Sequence, residues 1–352
     1  MASTGQSPMS SHVLCRWKTL LPWVVTLQAL VIVWLSTGVG RGYWCTRMVG
    51  SVSRKTSQDR PSLSLHSIGL SSLHTPTASP PGRIFFNRVP KCGSSSLLDL
   101  MRVASRLNNF TFVECAAYMT FNVDARQAER MAAKINNVST PMVFERHLHF
   151  VNFKTLGVQP EPVYVNIVRD PIDRLESWYY YRRFQEGHER QMSDADRNRT
   201  YEECVLGNFS ECVEPRGDQA EVGYFKIIPF FCGQHEFCRA PGEAALSEAI
   251  QNVKKHYAVI GLVEMYPQFI QTLEVLFPTY FKGITAIYNV LGETIHKQYK
   301  TSNRKRASAR VRQVMASKLE DEYQLYYYIR RRFVRLYKQL MLSKTKTDIT
   351  FI

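Results

Sequence analysis

Residues 84 to 342 alternate short apolar runs with amphipathic stretches. Runs of four to eight apolar residues suit buried strands, and apolar side chains recurring every three or four positions suit helices. The pattern predicts strands at 84–87 and 111–114, helices at 95–107 and 124–136, and strands at 142–150 and 163–168. A helix at 171–184, a polar irregular stretch at 185–222, a helix at 243–255, a strand at 257–262 and a helix at 266–277 follow. A basic loop then leads to one long helix from about Ala307 to Leu342. Its apolar stripe runs through Val311, Met315, Leu319, Tyr326, Ile329, Phe333, Leu336 and Leu340, leaving Arg330, Arg331, Arg335 and Lys338 mostly on other faces. Strands alternating with helices predict an α/β domain with a mainly parallel central sheet flanked by helices.

The pattern changes toward the N-terminus. Residues 20–40, LLPWVVTLQALVIVWLSTGVG, carry no charge over a length that crosses a bilayer. The run is longer than the apolar core of a cleaved signal peptide, so an uncleaved signal-anchor transmembrane helix is expected. Residues 1–19 then form a short tail on the cytoplasmic side. Residues 41–82, rich in Ser, Thr, Pro and Gly, read as a flexible stem. The folded domain is expected over 83–345.

Composition sharpens the question of partners. The net charge of +15 points to an anionic partner such as nucleic acid, anionic lipid or an acidic polysaccharide. Lys and Arg flanking the apolar run would by themselves put the large domain inside the cell. Two features outweigh that count. Four glycosylation sequons occur, at Asn109, Asn137, Asn198 and Asn208. Cys204, Cys212, Cys232 and Cys238 form a cluster whose short spacings suit disulfides between nearest neighbours and do not match the C-x2-C pattern of structural zinc. The domain is expected in an oxidising lumen, which argues against nucleic acid.

Three stretches carry candidate chemistry. In FFNRVPKCGSSSLLDLM, residues 85–101, a strand enters a tight turn and then a helix, so backbone N–H groups and the helix dipole converge on one point. Lys91 adds a charge, Ser94, Ser95 and Ser96 add hydroxyls, and Cys92 and Gly93 complete the turn. Lys91 precedes Gly93, so this is not the G-x-x-x-x-G-K-[ST] loop of an ATPase. An ordinary serine-capped turn is the alternative. In VYVNIVRDPIDRLESWYYYRR, residues 163–183, Asp170 and Pro171 suit a helix start, with Arg169 at the strand end and Ser177 two turns along. That pair could meet a second phosphate, or Arg169 could simply pair with Asp173. In ERHLHF, residues 145–150, an extended chain turns Glu145, His147 and His149 to one side. A general base is the better functional reading of this stretch, and no metal is expected.

Together and in this order the three stretches resemble the Golgi sulfotransferases that use 3′-phosphoadenosine 5′-phosphosulfate, PAPS. More narrowly the chain resembles the uronyl 2-O-sulfotransferase family, which includes the heparan sulfate 2-O-sulfotransferases and Pipe. FNRVPKCGS, RHLHFVNF, NIVRDPIDRL, IIPFFCGQHEFCRAPGE and YFKGITAIY carry the likeness. The resemblance implies a P-loop-like sulfotransferase domain in a single-pass type II Golgi membrane protein. It further implies that Lys91, Cys92, Gly93, Ser94, Ser95 and Ser96 cradle the 5′-phosphosulfate and that Arg169 and Ser177 take the 3′-phosphate. Thr301 and Arg304, from a loop that closes over the nucleotide in the heparan enzymes, become phosphate neighbours. Disulfides Cys204–Cys212 and Cys232–Cys238 and a trimeric assembly are implied as well. His147 falls where the family has its catalytic base. Glu145 stands where the heparan enzymes have another histidine, and Cys92 where they have threonine, which favours dermatan or chondroitin sulfate as acceptor.

The expected reaction is in-line transfer of sulfate to the 2-hydroxyl of a uronic acid, His147 taking the proton and Lys91 stabilising the leaving phosphate. Arg88, His149, Arg182 and Arg183 are expected along the polysaccharide groove, with the 297–306 segment and the basic face of the last helix. Heparan sulfate 2-O-sulfation, or an inactive membrane-tethered polyanion-binding relative, are the alternatives.

Overall fold

The computed structural model describes residues 81–115, 121–184, 192–213, 226–240 and 242–350. The tail, the apolar run 20–40 and nearly all of the 41–82 stem lie outside the described residues. Among those described, no helix is long and apolar enough to cross a membrane.

Five strands form one parallel sheet: β1 Arg83–Asn87, β2 Thr111–Glu114, β3 Met142–Arg146, β4 Val163–Val168 and β5 Tyr257–Leu262, in the order β2-β3-β1-β4-β5. β1 is buried along its whole length, as a central parallel strand must be when helices cover both faces. The Phe85 ring stacks on Phe144 at 5.2 Å and meets Phe153 and Tyr164 edge-on. The longer helices are α1 Ser94–Leu107, α2 Ala125–Asn136, α3 Pro171–Phe184, α4 Glu243–His256, α5 Tyr266–Leu276, α6 Ile284–Gln298, α7 Ala309–Lys318 and α8 Glu320–Thr350.

The strand order places the site. From β1 the chain runs through α1 to one side of the sheet, and later through β4 to the other, so the loops leaving β1 and β4 diverge. In an open parallel sheet the crevice at the carboxyl ends of such strands is where ligands bind. β3, β1 and β4 are direct neighbours, so the ERH, PKCGSSS and VRDP segments open onto one crevice. A buried network braces these strand ends: Asn166 Nδ2 donates to the Asn87 carbonyl at 2.6 Å, and Tyr257 Oη donates to Asn87 Oδ1 at 2.9 Å.

Four differences from the expected pattern stand out. β3 stops at Arg146 and does not run to Phe150. Its last ladder contact is the Arg88 N–H donated to the Arg146 carbonyl at 2.8 Å, after which β1 turns away through Pro90. On the other edge, Cys115 N–H leaves the ladder and donates to the Glu145 carboxylate at 2.9 Å. The basic loop after 277 begins instead with a helical turn at Pro278–Phe281 and α6. The last long helix is two helices that meet at Leu319, whose φ of −115° and ψ of 26° lie outside the helical range. The irregular stretch holds helical turns at Asp194–Asn198, Tyr201–Leu206 and Ser210–Val213. Disulfides join Cys204 to Cys212 and Cys232 to Cys238.

Candidate active site

A cleft of about 1130 Å³ opens at the carboxyl ends of β1, β3 and β4. The turn after β1 forms its floor. Lys91 and Gly93 both adopt left-handed backbone, φ 63° and 67°, which rolls the chain straight into α1. Gly93 is the helix N-cap, and no side chain caps the first turn. The leading N–H groups of α1 are therefore left to whatever occupies the cleft. A Cβ at Gly93 would lie 3.2 Å from the Tyr266 ring, and Tyr266 Oη donates to the Gly93 carbonyl at 3.2 Å, so the turn is held against α5. Ser94, Ser95 and Ser96 line the cleft, whereas the Cys92 side chain is in the core, its thiol pushed up to about 12 by burial. Only the Cys92 backbone borders the loop.

Arg169 lines the same cleft from the end of β4. Among the described residues, neither Arg169 nor Lys91 forms an ion pair. The sequence left open a pairing of Arg169 with Asp173, but Asp173 Oδ1 accepts from Arg312 Nη1 at 2.8 Å, and Arg304 lies at 3.5 Å. Burial, with the nearby Arg169 charge next, lowers the Lys91 pKa to about 7; Arg304 adds to this and Cys92 opposes it. Burial and Arg304 lower the pKa of Arg169 as well.

His147 faces this basic floor from the end of β3. Its Nδ1 lies 3.0 Å from the Arg88 carbonyl, which can only accept, so Nδ1 carries the hydrogen and Nε2 the lone pair. Burial, followed by the charge of Arg88, drives its pKa down to about 3, against the pull of the carbonyl. The imidazole is neutral at any working pH, well beyond the partial neutrality of a free side chain. Arg88 lines the cleft and is held by the fully buried Glu145 at 2.9 Å.

The segment before α7 crosses the cleft. Thr301 Oγ1 and Ser177 Oγ lie 3.0 Å apart. Arg304 donates from Nε and Nη2 to Glu176 Oε2 at 3.1 and 2.7 Å, and Ala307 N–H donates to Glu176 Oε1 at 2.8 Å. Glu176, fully buried on α3, is thus the anchor of this segment. Removing one partner of a buried, hydrogen-bonded ion pair strands the other charge. Glu176→Ala is therefore expected to lower the unfolding free energy by about 3 kcal/mol, measured by urea denaturation.

Three expected groove residues are not in the cleft. Arg183 is buried, its Nη2 on Glu211 Oε1 at 2.6 Å and its guanidinium 3.5 Å above the Tyr179 ring. This arginine cements α3 to the disulfide-stapled turns. His149 is fully buried, stacked on Phe121 with Nδ1 2.8 Å from Asn122 Oδ1. With β3 ending at Arg146, it does not share a face with His147. Arg182 stands 6.0 Å above Trp178, outside the lining. Conversely, Trp178, Tyr181, Tyr288 and His296 line the cleft and were not anticipated. The spacing held a signal for one of them, since Tyr181 lies one helical turn after Ser177. Asn109, Asn137, Asn198 and Asn208 are all exposed and away from the cleft.

A family model described as "Sulfotransferase family" matches residues 77–329, a span that contains the whole cleft lining from Arg88 to Arg306. The chain is 34% identical over 276 residues to the uronyl 2-sulfotransferase of Mus musculus, covering 75% of this chain and 65% of that relative. The heparan sulfate 2-O-sulfotransferase 1 of Xenopus laevis is 30% identical over 252 residues, 68% of each chain. The uronyl 2-sulfotransferase homolog pip of Drosophila melanogaster is 27% identical, covering 74% of this chain and 54% of that protein. The chain thus spans just under two thirds of the length of the uronyl 2-sulfotransferase. Cleft and sequence agree: the chain belongs to the sulfotransferase family, in the group of the uronyl and heparan sulfate 2-O-sulfotransferases.

Proposed function

We propose that this protein transfers sulfate from PAPS to the 2-hydroxyl of uronic acid residues in a glycosaminoglycan, with dermatan or chondroitin sulfate as the acceptor. The observation that carries the reading is a pair of cations, Lys91 and Arg169, without ion-pair partners among the described residues, at the ends of adjacent strands, with a neutral imidazole across from them. The residues fit a nucleotide bearing phosphates at two positions. An uncapped helix start with Lys91 and three serines suits one phosphate, and Arg169 with Ser177 and Thr301 suits the other. PAPS supplies an activated sulfuryl group whose leaving oxygen belongs to a phosphate.

In this reading His147 Nε2 receives the hydroxyl proton, Nδ1 being committed to the Arg88 carbonyl, and Lys91 offsets charge on the leaving phosphate. Transfer of a loose SO3-like group asks the protein mainly for positioning and charge stabilisation. Cys92 takes no covalent part, its buried thiol being held protonated. The domain works in the Golgi lumen, where the four exposed sequon asparagines can carry glycans. Glu145, committed to Arg88 and the Cys115 N–H, supports the uronyl-type reading over a heparan enzyme with a second histidine at that position. The test is transfer of labelled sulfate from PAPS to dermatan, chondroitin and heparan acceptors, followed by disaccharide analysis. A 2-O-sulfated uronic acid from dermatan or chondroitin is expected; a product without it overturns the reading.

A further inference from the structure

The ammonium of Lys91 lies 3.7 Å from the centroid of the Tyr181 ring, above its face. Tyr181 and Ser177 are one helical turn apart on α3, and both line the cleft. The tyrosine ring is itself packed on Trp178, with centroids 5.8 Å apart and planes at 22°. The other charged groups of the cleft discourage an ammonium. Arg88 faces it from the end of β1, Arg169 from the end of β4, Arg304, Arg306 and Lys300 from the crossing segment and Lys297 from α6, while His147 and His296 also face it, their pKa values lowered by burial toward the neutral form. The one carboxylate of the lining, Glu293, is exposed and paired with Lys297 at 2.7 Å. The remaining neighbour is the buried Cys92 thiol.

We propose that Tyr181 is a positioning residue for Lys91: its ring face holds the ammonium charged and inside the cleft until an anionic ligand takes it over. The negative face of an aromatic ring attracts a cation, more strongly when both are desolvated. Here that attraction opposes burial and the guanidinium groups of Arg169 and Arg304, which favour the neutral amine. The left-handed backbone at Lys91 fixes where the side chain starts, so the ring decides where it ends. Because the ring face acts and the hydroxyl does not, phenylalanine should serve as well as tyrosine. This inference rests on the reading of Lys91 as a phosphate contact.

The test follows the affinity of the full-length chain for 3′-phosphoadenosine 5′-phosphate, PAP, as a function of pH by calorimetry. The wild type is compared with Tyr181→Phe, Tyr181→Leu, Lys91→Ala, and a chain carrying pentafluorophenylalanine at 181, which keeps the ring's shape and removes its negative face. Tyr181→Phe should keep the wild-type midpoint. Tyr181→Leu and the fluorinated chain should lower it by about 0.5 to 1 pH unit. The fluorinated chain decides the matter if the leucine variant fails to fold. If the pH dependence vanishes in Lys91→Ala but the fluorinated chain keeps the wild-type midpoint, the role of Tyr181 is overturned and the reading of Lys91 stands. If the pH dependence survives in Lys91→Ala, the reading of Lys91 itself falls, and this inference with it.

Discussion

His147→Ala lowers turnover by about 10² to 10⁴ at saturating donor and acceptor, the usual worth of a general base. PAP affinity stays nearly unchanged, because the ring lies across from the phosphate floor, with Nδ1 3.0 Å from the Arg88 carbonyl. Initial rates and calorimetry on the same preparation separate the two effects, and wild-type turnover in the variant would refute the assignment. The pH profile provides a second check. Burial and Arg88 depress the His147 pKa to about 3, so the base form is fully populated above roughly pH 4. An acid limb near pH 6.5, the signature of an unperturbed histidine, is not expected in kcat/KM. A base so weak in the free protein gains strength in the ternary complex, where anionic donor and acceptor both raise its pKa.

Much of this arrangement is legible in the sequence because it depends on strands buried on both faces. Ile84, Phe85 and Phe86 form a continuous apolar run bounded by Pro90 and Gly93, and such a run reads the same whichever helices cover it. Once β1 and β4 are recognised as parallel strands followed by helices, Lys91 and Arg169 must lie at the same end of the sheet. The expected strand 142–150 failed for a reason that is not local. β3 ends where both neighbours leave it, β1 at Pro90 and β2 at Cys115, whose N–H turns to a side chain. His149, assigned to the groove by alternation, lost its place with the strand.

Helix α6 was missed although Ile284, Ile287, Tyr288, Leu291 and Ile295 repeat at helical spacing. Its polar face lines the cleft, and the basic residues there masked the stripe. The break at Leu319 also had a signal, since Glu320, Asp321 and Glu322 are the acidic start that a new helix favours. Glu322 has a further task that no local pattern reveals: it accepts from the Ile227 and Ile228 N–H groups at 2.6 and 3.0 Å, closing the start of a helical turn far away in sequence. Arg183 misled for a similar reason. An arginine on a helix reads as a surface charge until Glu211, brought near by the Cys204–Cys212 disulfide, takes it inside.

Lys91→Ala lowers turnover by about 10² to 10³, the cost of removing one donor aimed at developing charge in a water-poor site. Unlike His147→Ala it also weakens PAP binding, so the two variants differ in where their loss falls. The same lysine makes binding depend on pH with a definite sign. In the free protein Lys91 is half protonated near pH 7, whereas a bound phosphate favours the ammonium and raises its pKa. Binding must then take up a proton between these two values, and PAP affinity must fall as pH rises through and above 7. The nucleotide does not cancel this, since its phosphates have a second pKa near 6 and are already dianionic there. Calorimetry in buffers of different ionisation enthalpy reads the proton directly. Uptake approaching one proton near pH 8 is expected for the wild type and none for Lys91→Ala. Wild-type binding without proton uptake would remove Lys91 from the phosphate, leaving the uncapped start of α1 and Arg169 to hold the nucleotide alone.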